Sequence, residues 1–295
     1  MSLQAILLLA LQLSIFLTVL TIGMETTGSD LRYVLSQPGR LFRALLAINI
    51  LGPIVAVLVC RTFSLHPAVV VGLVTLAVAP VSNMFPKSMA ELVSHGHVSY
   101  ARGLFFASTV LSVIVTPLAV EMINVLFGSD AHVSPMAVAQ VVLGTVLLPL
   151  SLGLLLGKLW PAIKRWGGGI QKVSGLVLLV CGLVIIAAAW SAMGSLLRTG
   201  TVSAIAIIAF LGLLAGHVLG GPDEDDRTVL AEATVTRHPG VAIVVANLTN
   251  EPLAPIGVLL AVLVSAIAVM PYTQWRKKRL AVSAPAAAIS RRRAH

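Results

Sequence analysis

Glu232 and Thr236 stand four residues apart in the stretch LAEATVTRHPG (230–240), so on a helix they share one face. Arg237 and His238 follow at once, and Pro239–Gly240 break any helix there, because proline lacks an N–H and glycine relaxes the chain. A charge at the centre of a bilayer costs roughly 2.5–3.5 kcal/mol on insertion scales, and ionisable residues kept there usually line a pathway. Glu232 and Arg237 therefore point to an ion or solute site. The competing reading is mutual neutralisation, or a pairing of Glu232 with Lys87, that only holds the break together. A second cluster, PVSNMFPK (80–87), puts Ser82 and Asn83 between Pro80 and Pro86. Hydroxyl and amide oxygens beside freed carbonyls suit a hard cation such as Na⁺, although Ser and Asn also hydrogen-bond between helices. Lys87 is either a site cation or a lysine reaching for the membrane surface. His238 is either a structural histidine or a proton carrier. His217 reads as structural, His95 and His97 carry no metal-ligand spacing, and DEDD (223–226) reads as a solvated loop favouring a helix start. A nucleophile elbow, a phosphate-cradling glycine loop and a paired His–Glu zinc motif are all missing from the sequence, so it does not read as an enzyme.

The elements that must hold these residues are set by composition. The 295 residues are 58% hydrophobic and 11% charged, where soluble domains carry about 25% charged. Many apolar runs approach the roughly 20 residues that span a bilayer. The chain reads as an all-α polytopic membrane protein, since open sheet edges cannot face lipid. Its net charge of +9 does not imply nucleic acid. Seven of the twenty basic residues lie from Arg276 onward, and most others flank apolar runs. Cys60 and Cys181 both sit inside apolar segments and read as core. GLLLG (153–157) reads as a close helix-packing seam.

Nine apolar segments fall at about 3–23, 41–62, 66–94, 98–125, 135–159, 169–192, 200–219, 226–249 and 253–274. The expected organisation is one transporter domain, 1–279, with halves at about 1–125 and 169–275 and a basic, disordered tail at 280–295. The positive-inside rule places the N-terminus outside and the C-terminus in the cytoplasm of a plasma (inner) membrane. Arg32, Arg40, Arg43, Arg102, Lys158, Lys164, Arg165, Lys172 and Arg227 then lie inside, and only Arg61 and Arg198 outside. Shifted by 154 residues, LAVAPVSN (76–83) overlies LAEATVTR (230–237), and GLFFASTVLSVIVTP (103–117) overlies GVLLAVLVSAIAVMP (257–271). Five spans separate the third and eighth helices, so these units run oppositely, as in an inverted repeat. Both carry breaks, Pro80 and Pro86 in one and Pro239–Gly240 in the other, expected to meet at mid-membrane.

On GGPDEDDRTVLAEATVTRHPGVAIVVAN (220–247), PVSNMFPKSM (80–89) and the nine-span layout, the chain resembles the bile acid:sodium symporter family. The resemblance implies a core domain holding two crossing broken helices, framed by a panel domain, and sodium-coupled uptake of small organic anions through a cavity between them. It gives Ser82, Asn83, Glu232 and Thr236 as the ion-binding set, with Na⁺ the candidate coupling ion and no other cofactor. Lys87, Arg237, His238 and Asn247 form the expected solute-binding set. Thr236 stands where the family's motif has glutamine, and Arg237 where a neutral amide is usual, which leaves sodium, proton or no coupling open. The rival functions are a related exporter of the arsenite or auxin type, and a membrane sensor that binds a ligand without moving it.

Overall fold

A computed structural model describes residues 3–82, 84–93, 95–127 and 134–293. The helices run in order: α1 (Leu3–Glu25), α2 (Gly28–Leu35), α3 (Pro38–Leu46), α4 (Gly52–Thr62), α5 (Pro67–Val78), α6 (Phe85–Leu92), α7 (His95–Phe127), α8 (Pro135–Val142), α9 (Leu148–Leu159), α10 (Lys164–Leu196), α11 (Thr201–Leu219), α12 (Glu224–Val235), α13 (Pro239–Ala246) and α14 (Ala254–Arg293). Each of the nine apolar segments is helical, and among the described residues the chain forms no β-strand. Among the described residues, six helical stretches are long and apolar enough to cross a membrane: Pro38–Thr62, His97–Leu118, Pro135–Leu159, Pro161–Leu196, Thr201–Leu219 and Ala254–Leu280. Leu9–Glu25 and Pro67–Val78 are shorter apolar helices. The segments read as 66–94 and 226–249 are each split in two, into α5–α6 and α12–α13.

Two of the crossing stretches contain an extra turn residue. A π-turn, Ala47–Leu51, joins α3 to α4, and another, Leu143–Leu147, joins α8 to α9. Each lies just ahead of a proline, Pro53 or Pro149. Proline cannot donate its helical hydrogen bond, and a widened turn takes up the lost partner.

The helices pack as two groups. α1 lies against α9 and α10. Gly23, Gly153 and Gly157 make that seam: a Cβ on Gly153 would strike the Leu20 carbonyl, and one on Gly157 the backbone of Met24. This is the close approach expected of GLLLG. Ser14 and Thr18 of α1 add hydrogen bonds to Ser174 of α10. The second, larger group is built on α5 against α14, α11 against α12, and α13 against both α5 and α14. Glycine again sets the distance, with Gly72 of α5 abutting the backbone of Gly257 in α14, and Gly216 of α11 abutting Ala231 in α12. α8 touches α7 and α13, and α10 leans on α14, which joins the two groups.

Candidate binding site at two helix breaks

Both breaks have a local cause. Ala79 precedes Pro80 and is driven out of the helical region, to φ −64° and ψ 151°. α5 therefore stops at Val78. The same clash acts on His238 before Pro239, at φ −78° and ψ 100°, and α12 stops at Val235. Each helix restarts with a proline in its first turn, Pro86 in α6 and Pro239 in α13, where the missing N–H costs nothing.

The two breaks meet. Val81 and Arg237 form an antiparallel bridge. The Ser82 N–H donates to the Thr236 carbonyl and the His238 N–H to the Pro80 carbonyl, both at 2.8 Å. Backbone freed by one break thus satisfies backbone freed by the other, as an apolar interior requires. α5 packs on α13, and α6 on α12. The leftover carbonyl of Val78 accepts from the Thr116 hydroxyl of α7 at 2.9 Å.

Arg237 is buried at the crossing. Its Nε donates to the Thr234 carbonyl (3.0 Å), one terminal nitrogen to the Ala79 carbonyl (3.3 Å), and the other to the Ile48 carbonyl in the first π-turn. The guanidinium fork is spent on main chain rather than on the Glu232 carboxylate, so mutual neutralisation is not how this charge is held. A cavity of about 40 Å³ lies beside it, lined by Gly52, Val55, Leu73, Gly212 and Thr234 among others. That volume has room for little more than water, whereas pockets for organic ligands run to about 300–1,000 Å³.

His238 caps α13, its Nδ1 accepting from the Val241 N–H at 3.3 Å. The acceptor role at Nδ1 puts the ring proton on Nε2, which has no partner among the described residues although the side chain is 2% exposed. Gly240 lies against the same ring and against Ile15 of α1, so this side of the crossing faces the first group. Glu232 is 4% exposed, with Oε1 unpartnered among the described residues. Thr236 lies one residue past the end of α12, its N–H donating to the Glu232 carbonyl at 2.9 Å.

The remaining candidates are placed as follows. Pro80 and Ser82 are buried in the first break, and the Ser82 hydroxyl accepts from the Met84 N–H at 3.3 Å. Asn83 lies outside the described residues. Lys87 is exposed on α6, and Asn247 is exposed just beyond α13, a helix length from the crossing.

Sequence reasoning missed three contributors. Ile48 and Thr116 supply an acceptor and a donor to the crossing, and Gly52–Pro53 inside an apolar run was their only outward sign. The third is Asp226, which the DEDD reading left in solvent. It is fully buried, with Arg40 Nη1 at 2.7 Å from Oδ2 and His97 Nδ1 at 2.9 Å from Oδ1. Arg276 reaches Glu224 (2.8 Å) and Asp225 (3.3 Å), and Lys277 reaches Glu91 (3.3 Å). These pairs collect at one end of the second group. His217 Nδ1 lies 3.1 Å from the Tyr272 hydroxyl.

Compared with known proteins, residues 12–199 match the Sodium Bile acid symporter family. The match includes the first break but ends before the RHPG segment. Among curated relatives, the probable sodium/metabolite cotransporter BASS3, chloroplastic, of Oryza sativa subsp. japonica is 32% identical over 163 residues, 55% of this chain and 37% of the relative. The probable sodium/metabolite cotransporter BASS1, chloroplastic, of Arabidopsis thaliana is 27% identical over 225 residues, 73% of this chain and 54% of the relative. The chain thus spans about a third to a half of the length of these relatives. Both relatives are transporters rather than enzymes, and the family match covers well over half of the chain, with apolar helices fit to cross a membrane on either side of the first break. This integral membrane protein belongs to the sodium bile acid symporter family.

Proposed function

We propose that the protein carries small organic anions across the plasma (inner) membrane as a secondary transporter. Its nine spans form an inverted repeat of core and panel, with the N-terminus outside and the C-terminus cytoplasmic. The observation that carries this reading is the antiparallel meeting of two interrupted helices. The 154-residue self-match supports the repeat. The ion pairs of Arg40, Arg276 and Lys277 gather at one end basic residues that the positive-inside rule assigns to one side. Metabolite carriage, which the relatives' names state for them, extends naturally to this chain.

The preference for anions comes from polarity at the crossing. α6 and α13 begin there, and helix N-termini present free N–H groups and positive potential. The unpartnered Nε2–H of His238 adds a donor at the crossing. In an outward- or inward-open form, these groups receive a carboxylate or sulfonate.

The test is uptake into proteoliposomes of labelled carboxylates and sulfonates, with neutral and cationic solutes of like size as controls. Anion uptake above empty vesicles is expected, and His238→Ala should weaken it. Selective uptake of cations would overturn the anion reading. Saturable binding without uptake would make the protein a sensor instead.

A further inference from the structure

Three backbone carbonyls from three elements converge where the breaks cross, and each has lost its helical donor for a separate reason. Gly52 gives its N–H to Ala47 across the π-turn, and Pro53 has none, so Ile48 is left free. The His238 N–H goes to Pro80 and Pro239 has none, so Thr234 is left free. Ala79 is already extended at the end of α5. A set of main-chain carbonyls at the negative ends of two half-helices is the environment in which broken helices hold a small monovalent cation. Here the set is filled from within, because each of the three nitrogens of the Arg237 guanidinium donates to a different carbonyl. The opposite wall is cut back to admit it, since a Cβ on Gly52 would lie 2.7 Å from the terminal nitrogen.

We propose that Arg237 is a tethered cation. It permanently occupies the carbonyl cage formed by the breaks, so this cage takes no free sodium, and transport does not depend on sodium bound there. The family's name implies sodium, and these carbonyls do not fit it while the guanidinium is present. Their oxygens are already engaged, and a second positive charge beside the first would be repelled. Removing the side chain turns the cage, together with the adjoining cavity of about 40 Å³, into a latent site for guanidinium or a hard monovalent cation.

The experiment uses the full chain in nanodiscs. For wild type, ²²Na⁺ binding and the thermal midpoint are measured in sodium chloride against choline chloride, and neither sodium-specific binding nor a sodium-specific shift is expected. Arg237→Ala should melt lower, and guanidinium at low millimolar concentration should raise its midpoint where choline does not, with affinity at least roughly ten-fold above wild type. Arg237→Lys keeps the charge but not the fork, so it should remain sodium-insensitive and melt between the two. If Arg237→Ala does not fold, Gly52→Ala, which pushes the guanidinium off Ile48, replaces it and should gain a sodium or guanidinium response. Saturable ²²Na⁺ binding to wild type that persists in Ser82→Ala and disappears on adding guanidinium would overturn the proposal. So would a cavity variant that guanidinium does not stabilise. The binding measurements do not depend on which solute is carried. Absent uptake in both salts sinks the transport reading, whereas brisk uptake whose sodium dependence is abolished by guanidinium sinks only the tethered cation.

Discussion

Asp226 offers the sharpest energetic test, because a buried carboxylate there has two partners and little else. Asp226→Asn keeps the shape and removes the charge. A hydrogen bond to a charged group contributes about 1.5–3 kcal/mol, and deleting one partner of a buried pair costs about 3–5 kcal/mol. The Arg40 side chain is 28% exposed, so it can turn to water when its partner is lost. The upper end is therefore not reached, and Asp226→Asn should cost about 2–3 kcal/mol. Arg40→Gln leaves the buried carboxylate with His97 alone, so it should cost at least as much. A double-mutant cycle of the two, from reversible unfolding in mixed micelles, should return a coupling of about 1–3 kcal/mol. A coupling below about 0.5 kcal/mol, or an Arg40→Gln variant milder than Asp226→Asn, would mean the carboxylate is effectively solvated and the reasoning fails.

Gly153→Ala should destabilise by about 1–3 kcal/mol or more through collision with the Leu20 carbonyl. Gly182→Ala on α10, which has nothing within 4 Å, should stabilise by about 0.5–1 kcal/mol in the same unfolding assay. Thr116→Val should cost about 1–3 kcal/mol by orphaning the Val78 carbonyl, while Thr116→Ser should stay near wild type. The hydrogen bond from Arg276, and its charge, hold the Glu224 carboxyl below its ordinary value. A depressed carboxylate contributes stability above its unfolded value and loses it as pH falls through the folded one. Arg276→Gln should therefore flatten stability only on the acid side, in unfolding measured from about pH 6 to pH 3, and by a small amount because Glu224 is exposed.

Much of the architecture was legible because lipid removes alternatives. Nine apolar runs could only be helices, and prolines at 80, 86 and 239 could only interrupt them. The 154-residue offset brought Ser82 and Thr236 into register, and these residues share a hydrogen bond across the crossing. The direction of the Arg237 side chain was not legible. A guanidinium serves a solute carboxylate or a main-chain carbonyl equally well, and the choice depends on Ile48, nearly two hundred residues away. Asp226 was hidden for a similar reason: an acidic run looks solvated until a distant guanidinium, Arg40, and a distant imidazole, His97, are folded over it.

The boundary between the two helix groups has a mechanical consequence. The ion pairs described here tie α3, α6, α7, α12 and α14 to one another, and the serine–threonine bonds tie α1 to α10. None of these named bonds reaches from one group to the other, where the contacts described are packing contacts such as Gly240 on Ile15. Sliding along that surface would leave each of these named bonds intact. It would exchange dispersion against protein for dispersion against acyl chains, which are similar in strength. The seam behaves as a slip plane between two riveted plates: stiffness is concentrated inside each plate, and compliance is left to the joint.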